Sequence, residues 1–475
     1  MKRTDRLPIV LLLCAAAASL GAGVARAQGF ETGKVIEKVA CAADPSLSYA
    51  LYLPPSFDAG KTWPVLFLFD PGARGPMGVG AFRAAADEFG WILVGSNDSQ
   101  NGPMGPSLEA ASAVWADART RLSIDERRVY ASGFSGGSRV ASLFPRIVGR
   151  TIAGLIGCGA GLSQPIEAAD LRAGAYVGLI GLADFNYEEM RGLNLALDAP
   201  GLAHRFLFFE GRHEWPDPAI CARAVGWLEV RAMKSGLRPC EDALADAVIG
   251  RELDEARALE AAGRVYWAVE RLEAARGLAE GLRDIPGLAA RIEALRSSKE
   301  YASFARAERR RAERSAEFRR EFSRAFGSVE DVATGGATAV GPVLAEMKIG
   351  LLKKEAKTGK TVEDRSFASR LLFEFGLAAQ SRAADLHSQK QFLRAAAYFD
   401  LAIAACEEGL PREKYLYFNR ACAAAASGDK KRALSFLATA VDKGLTDPQI
   451  IETDRDLDPI RDTPAYRAII VRIKK

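Results

Sequence analysis

Ser135 stands in Gly133-Phe134-Ser135-Gly136-Gly137, a G-x-S-x-G spacing that can present a serine hydroxyl as a nucleophile. With 44 glycines in the chain, such a string turns up in roughly a quarter of shuffled sequences, so its surroundings must decide. Residues 128–145 read as a buried strand, a glycine-flanked turn and a helix. That is the context a nucleophile elbow needs, because the tight turn strains the serine backbone and crowds its neighbours. In this arrangement the Ser135 Oγ stands above the sheet edge. The Gly136 N–H, at the start of the helix, then faces the oxyanion that develops during attack.

A serine hydroxyl is a weak nucleophile until a base takes its proton, and the base needs a carboxylate to orient it. His213 follows the apolar run Arg205–Phe209 in Phe209-Glu210-Gly211-Arg212-His213-Glu214-Trp215-Pro216. Of the other two histidines, His204 opens that same run, at the wrong end of a strand, and His387 lies far along the chain. His213 is therefore the expected base. Asp184 follows the run Tyr176–Ile180 and is the expected acid, with Asp217 and Asp70 as rivals for that role. Phe134, Phe185, Tyr187 and Trp215 lie beside these residues and suit either the wall of an acyl or aryl pocket or ordinary core packing.

The elements that must position these groups are legible in residues 30–235. Continuous apolar runs at Pro64–Phe69, Trp91–Val94, Val129–Ala131, Ile152–Ile156, Tyr176–Ile180 and Arg205–Phe209 alternate with helical patterns. This predicts a mostly parallel sheet covered on both faces, an α/β domain whose site lies at the C-terminal strand ends. Lys34–Pro54 predicts an antiparallel edge hairpin. From about Glu241 the text turns Ala-, Glu- and Arg-rich, which predicts an all-helical region. There, Gly263–Ala268 with Leu272 and Ala275, Phe392 with Ala395, Phe399 and Ala402, and Gly428-Asp429 with Ala433, Leu437 and Ala440 repeat small and large positions at helix spacing. They resemble the second half of tetratricopeptide repeats, with generic helix packing as the alternative. The expected organisation is a leader at 1–27, a catalytic domain at 28–238 and a helical-repeat domain at 239–475. The Arg/Glu run at 305–320 reads as a solvated helix face, and Thr334–Ala337 as a loop.

Ser135 in G-F-S-G-G, Asp184 in G-L-A-D and His213 in G-R-H-E-W-P resemble the α/β-hydrolase superfamily over residues 30–230. The similarity is nearest to secreted polyhydroxybutyrate-depolymerase-like and feruloyl-esterase-like hydrolases. The stretches YALYLPPSF, FDPGARG, VGSNDSQNGP, GFSGGSRVA and ADFNYEEM also resemble a group of exported bacterial hydrolases that carry helical repeats behind the catalytic domain. The resemblance implies an α/β-hydrolase fold and a Ser-His-Asp triad and specifies no substrate, and the leading reading is an exported serine esterase acting through an acyl-enzyme. Where many such esterases carry a His-Gly pair, this chain has Asp70-Pro71-Gly72-Ala73-Arg74. The Ala73 N–H is then the expected second oxyanion donor beside Gly136, and Asp70 should turn away from the developing charge, paired with Arg74 or Arg139. Only about 25 residues separate Cys158 from Asp184, too few for a large lid, so an open site suited to bulky or polymeric esters and amides is expected, with a small or polymeric ester as the substrate.

The whole chain narrows the function classes further. Sixty-four basic against 60 acidic side chains give a net charge of +4, which provides no electrostatic footprint for nucleic acid. Lys2, Arg3 and Arg6, an apolar run and Ala25-Arg26-Ala27 form a leader of secretory type, predicting a mature chain from near Gln28, periplasmic or extracellular, with no stable membrane anchor. Six cysteines remain after it, in a compartment where disulfides persist, and they permit 15 pairings. No zinc-like ligand spacing is visible, so neither a metal nor a cofactor is expected. The helical region is expected to modify access or recruit a protein partner without supplying catalytic groups, because every candidate lies before residue 218. A serine peptidase, or an idle hydrolase-like domain on a helical scaffold, are the alternative readings.

Overall fold

The computed structural model describes residues 29–149, 151–165, 170–198, 202–331 and 340–474. The leader at 1–27 and the Thr334–Ala337 loop lie outside the described residues. The chain forms two compact units. The first comprises the segments up to Gly181, Glu189–Phe209 and His213–Ser297; the second comprises Leu182–Glu188, Glu210–Arg212 and Ser298–Lys475.

The first unit is built on an eight-stranded sheet. Its strands are β1 (Val35–Ala40), β2 (Ser48–Tyr52), β3 (Trp63–Phe69), β4 (Ile92–Ser96), β5 (Ile124–Phe134), β6 (Ile152–Cys158), β7 (Leu171–Gly181) and β8 (Ala203–Phe209). They lie in the order β1-β2-β4-β3-β5-β6-β7-β8. The β1–β2 and β2–β4 pairs are antiparallel, and every other pair is parallel. The edge hairpin and the parallel run are as the apolar pattern predicts. Strands such as β6 are buried at every position, because helices α1 (Gly75–Phe89), α2 (Met104–Arg121), α3 (Gly136–Ile147), α4 (Tyr187–Leu197) and α5 (Pro218–Lys234) alternate with them along the chain. Trp91 stacks on Tyr130 at 4.2 Å between ring centroids and donates its indole N–H to Glu229 at 2.5 Å. Glu229 is fully buried on α5, and Arg128 and Arg238 pair with it, so its charge is compensated where burial alone would be costly.

Three further helices, α6 (Asp242–Ala261), α7 (Val265–Ala279) and α8 (Leu288–Arg296), belong to this same unit. Val248, Ile249, Ala275 and Leu278 share one apolar core with the sheet residues Val177, Leu179 and Leu207. Glu252 of α6 bonds Arg205 of β8 at 2.5 Å and Arg223 of α5 at 2.9 Å. The change of composition near residue 239 therefore does not coincide with the division between the compact units. It marks the end of strand-forming text, and the apolar face of α6 still packs inward.

The second unit is helical: α9 (Lys299–Asp331), α10 (Val340–Glu346), α11 (Ile349–Thr358), α12 (Val362–Ser388), α13 (Phe392–Ala405), α14 (Glu413–Ala426), α15 (Lys430–Asp442) and shorter helices ending at Lys474. Packing of α12 on α13 and of α14 on α15 buries Ala395, Phe399, Ala402, Ala433, Leu437 and Ala440, the small and large positions singled out in the sequence. The Arg/Glu run in α9 is not wholly solvated. Glu308, Ser315 and Phe318 are buried, and Arg311 pairs with Glu308 and Asp364.

Candidate active site

β5 ends at Phe134 and α3 begins at Gly136, leaving Ser135 to make the whole turn. Its backbone sits at φ 53°, ψ −121°, a conformation that side-chain-bearing residues rarely adopt, and its N–H donates to Cys158 O at 2.8 Å. The flanking glycines are steric necessities. A Cβ on Gly133 would lie 2.1 Å from Gly137 O, one on Gly137 would lie 2.0 Å from Phe69 O, and one on Gly136 would lie 1.9 Å from Asn101 Oδ1. The elbow is thus wedged between β3 and the loop carrying Asn101. The Gly136 N–H opens α3 without a hydrogen-bond partner among the described residues, as an oxyanion donor must.

His213 Nε2 lies 2.9 Å from Ser135 Oγ. With the imidazole proton on Nδ1, the serine hydroxyl donates to Nε2, the geometry of a base poised to accept that proton. The ring is half-buried and packs on Phe134 at 4.6 Å. His204 is held at the opening of β8 by Leu202 O at 2.9 Å and Asp198 at 3.4 Å, away from this chemistry.

Asp70, immediately after β3, is 1% exposed and has both carboxylate oxygens engaged. Oδ1 accepts the Gly72 N–H and Arg74 Nε, both at 2.8 Å, while Oδ2 accepts Arg74 Nη2 at 3.1 Å and Trp215 Nε1 at 2.7 Å. Arg74, not Arg139, is its partner; Arg139 pairs with Glu189. The expectation for Ala73 is corrected. Its N–H is donated to Asp70 O at 3.2 Å and Ser99 O at 3.0 Å, and Asn101 N–H donates to Pro71 O, lacing the turn to residues 99–101. The next main-chain N–H, that of Arg74, has no partner among the described residues.

Asp184, Phe185 and Tyr187 belong to the Leu182–Glu188 segment of the second unit. Asp184 is 1% exposed, and its Oδ1 accepts the Asn186 N–H at 2.8 Å. Phe185 stacks on Phe373 at 4.9 Å. Tyr187 donates to Glu308 at 2.9 Å under the Arg370 guanidinium, 4.0 Å from its ring. Arg370 also donates to Leu182 O and pairs with Glu188 at 3.7 Å. Arg212 grips Glu407 through two bonds of 2.6 and 3.0 Å. Tyr187 and Phe134 are both buried, Phe134 against His213 and Trp215. Asp217 is exposed at the start of α5, where its carbonyl accepts the Ile220 and Cys221 N–H groups. Sequence reading missed Arg370, Glu308 and Phe373, since nothing local marks residues that act across more than a hundred positions.

All six described cysteines are free thiols, and Cys240 alone among them is exposed. Burial, reinforced by Asp117, pushes Cys41 up to about 11, and burial pushes Cys158 up to about 12. In the second unit, Cys422, Asp454 and Asp456 bring ligating atoms within 4.8 Å of one another, with Asp456 held by His387 at 2.6 Å. A cavity of about 700 Å³ in the first unit is lined by His204, Trp227, Tyr266 and Arg276 among others, and includes neither Ser135 nor His213.

The strand order, the parallel run and the strained Ser135 turn define the first unit as an α/β-hydrolase fold, followed in sequence by a helical region. No protein-family model and no curated protein matches the chain. Among solved structures, a hyperthermophilic esterase from Pyrobaculum calidifontis aligns at 14% identity over 44% of this chain and 87% of its own, with a TM-score of 0.33. A ferulic acid esterase aligns at 17% identity, 42% and 98% coverage, and a TM-score of 0.34. The fluorophosphonate-binding serine hydrolase F of Staphylococcus aureus aligns at 15% identity, 38% and 92% coverage, and a TM-score of 0.30. At these identities and scores they are likenesses only.

Proposed function

We propose that this chain is an exported serine hydrolase that cleaves carboxylic esters through an acyl-enzyme. The observation that carries the reading is the 2.9 Å approach of His213 Nε2 to the Oγ of a serine strained at φ 53°. Ser135 Oγ attacks the ester carbonyl while its proton passes to His213. The oxyanion is stabilised by the Gly136 N–H, with the Arg74 N–H replacing the engaged Ala73 donor. Collapse expels the alcohol, which takes the proton from His213, and leaves an acyl group on Ser135. His213 then deprotonates a water, which attacks the acyl carbon and releases the acid and the free serine.

Asp184 is the proposed acid that holds His213 in the productive tautomer. Two findings support it over its rivals: Asp70 has both oxygens engaged by Gly72, Arg74 and Trp215, and Asp217 is exposed at a helix start. Purified full-length chain should react with a fluorophosphonate probe at Ser135, and Ser135→Ala should abolish both that labelling and turnover of short p-nitrophenyl esters. Labelling that persists in the variant would place the nucleophile elsewhere, and absence of labelling in the unaltered chain would leave the fold catalytically idle.

A further inference from the structure

We infer that Asp70 is a positioning residue of this site: one buried carboxylate fastens the oxyanion turn and the general-base loop to each other. The inference rests on the hydrolase reading above. Asp70 follows β3, whose end is pinned under the elbow by Gly137, and its four hydrogen bonds run to two separate pieces of chain. Three hold the turn at 70–74, through Gly72 N–H and two nitrogens of Arg74. The fourth, 2.7 Å from Trp215 Nε1, holds the loop that carries His213 two residues earlier.

Trp215 passes this restraint on. Its ring packs on α1, where a Cβ on Gly78 would come within 3.2 Å of Cζ2, and meets Phe82 edge-on at 6.4 Å. Its other neighbour is Phe134 at 5.6 Å, the ring on which the His213 imidazole rests at 4.6 Å. Asp70, Trp215, Phe134 and His213 thus form a continuous set of contacts ending at Ser135 Oγ. A buried carboxylate costs several kcal/mol unless it is fully bonded, and this one has both oxygens bonded, to the turn at 70–74 and to the loop that carries His213. Charge-assisted bonds are the stronger and more directional kind. Angular precision matters here because a misplacement of about 1 Å in a catalytic group can lower the rate by about a hundredfold.

The test compares Asp70→Asn, Trp215→Phe and the double variant in the full chain, with folding followed by circular dichroism and thermal melting. Trp215→Phe keeps an aromatic ring at this position while removing the indole donor and the outer ring atoms that lie against Gly78, so unchanged kcat in it decides the matter even where Asp70→Asn fails to fold. Each single variant is expected to lower kcat on p-nitrophenyl esters about 10- to 100-fold, with KM changed less than about threefold. Ser135 should still label to completion with fluorophosphonate, at a reduced rate. The double variant should be no slower than the slower single, because both break one chain of contacts. Unchanged kcat in Trp215→Phe, or effects that multiply in the double, would overturn the inference while leaving the hydrolase reading intact. Failure of the unaltered chain to label would instead remove that reading, and this inference with it.

Discussion

A side-chain-bearing residue held at φ 53° stores strain of about 1–3 kcal/mol, and Ser135 bears it because the turn from β5 to α3 leaves it one residue in which to reverse. Replacing it by glycine should release that strain. Ser135→Gly is expected to unfold at higher denaturant than Ser135→Ala, by about 1 kcal/mol, with both inactive; equal midpoints would show the turn to be relaxed. Gly136→Ala makes the converse experiment, since its methyl would need the space of the Asn101 amide 1.9 Å away. We expect kcat to fall about tenfold or more, and Asn101→Ala introduced alongside to restore part of it. The elbow was legible in the sequence because its glycines, serine and flanking strand are contiguous. Ala73 was misassigned because its N–H is consumed by Ser99 O, a pairing of residues 26 positions apart that no local pattern announces. Asp70 was visible as an anomaly, and only its bond to Trp215 gave it a role.

The attachment of α6 to β8 is the element-scale counterpart. Burial pushes Glu252 upward, but the guanidinium groups of Arg205, Arg223 and Arg271 outweigh it and hold the carboxyl at about 2. In the unfolded chain it would titrate near the usual glutamate value of about 4.3. A carboxyl lowered by folding contributes stability that is present above the unfolded value and lost as pH falls through the folded one. Glu252→Gln should therefore cost about 3 kcal/mol at pH 7, and the gap between variant and parent should narrow as pH drops from about 4 towards 2. Urea midpoints at pH 7, 5 and 3 would check this, and a gap independent of pH would contradict it. Strands and helices were read correctly wherever apolar runs were continuous. The membership of α6 was missed because Glu252 looks like any surface glutamate until Arg205 and Arg223 are placed around it.

Across the whole molecule, the helical region is expected to modify access or recruit a partner without supplying catalytic groups, and its compact unit also takes in two short pieces of earlier chain. The segment containing Asp184 is held by Arg370, Phe373 and Glu308 of the second unit, and Arg212 by its Glu407. Arg370→Met would leave the Leu182 carbonyl and Glu188 without their cation. It is expected to lower stability by about 3 kcal/mol and ester hydrolysis with it, read by urea melts and p-nitrophenyl turnover. Full activity in the folded variant would separate the segment from catalysis. The cysteines offer a second global measurement. Of the six described, only Cys240 should react with a maleimide in the native state, the others following on unfolding; rapid native modification of Cys158 would show that β6 opens. Composition drew the domain line at 238/239 because it records strand-forming text, whereas compactness depends on which faces bury each other.

The assignment of Leu182–Glu188 and Glu210–Arg212 to the second unit has a kinetic consequence. During synthesis the strands up to β8 emerge well before Glu308, Arg370 and Glu407, so those two short pieces must wait for partners made more than ninety residues later. A nascent chain can assemble β1–β8 and still carry Asp184 on an unanchored tether. Such sequence-distant closures are slow to form because loop entropy must be overcome before the contacts reward it. On the hydrolase reading proposed above, maturation of activity should then lag behind formation of the sheet until Glu308, Arg370 and Glu407 have left the ribosome.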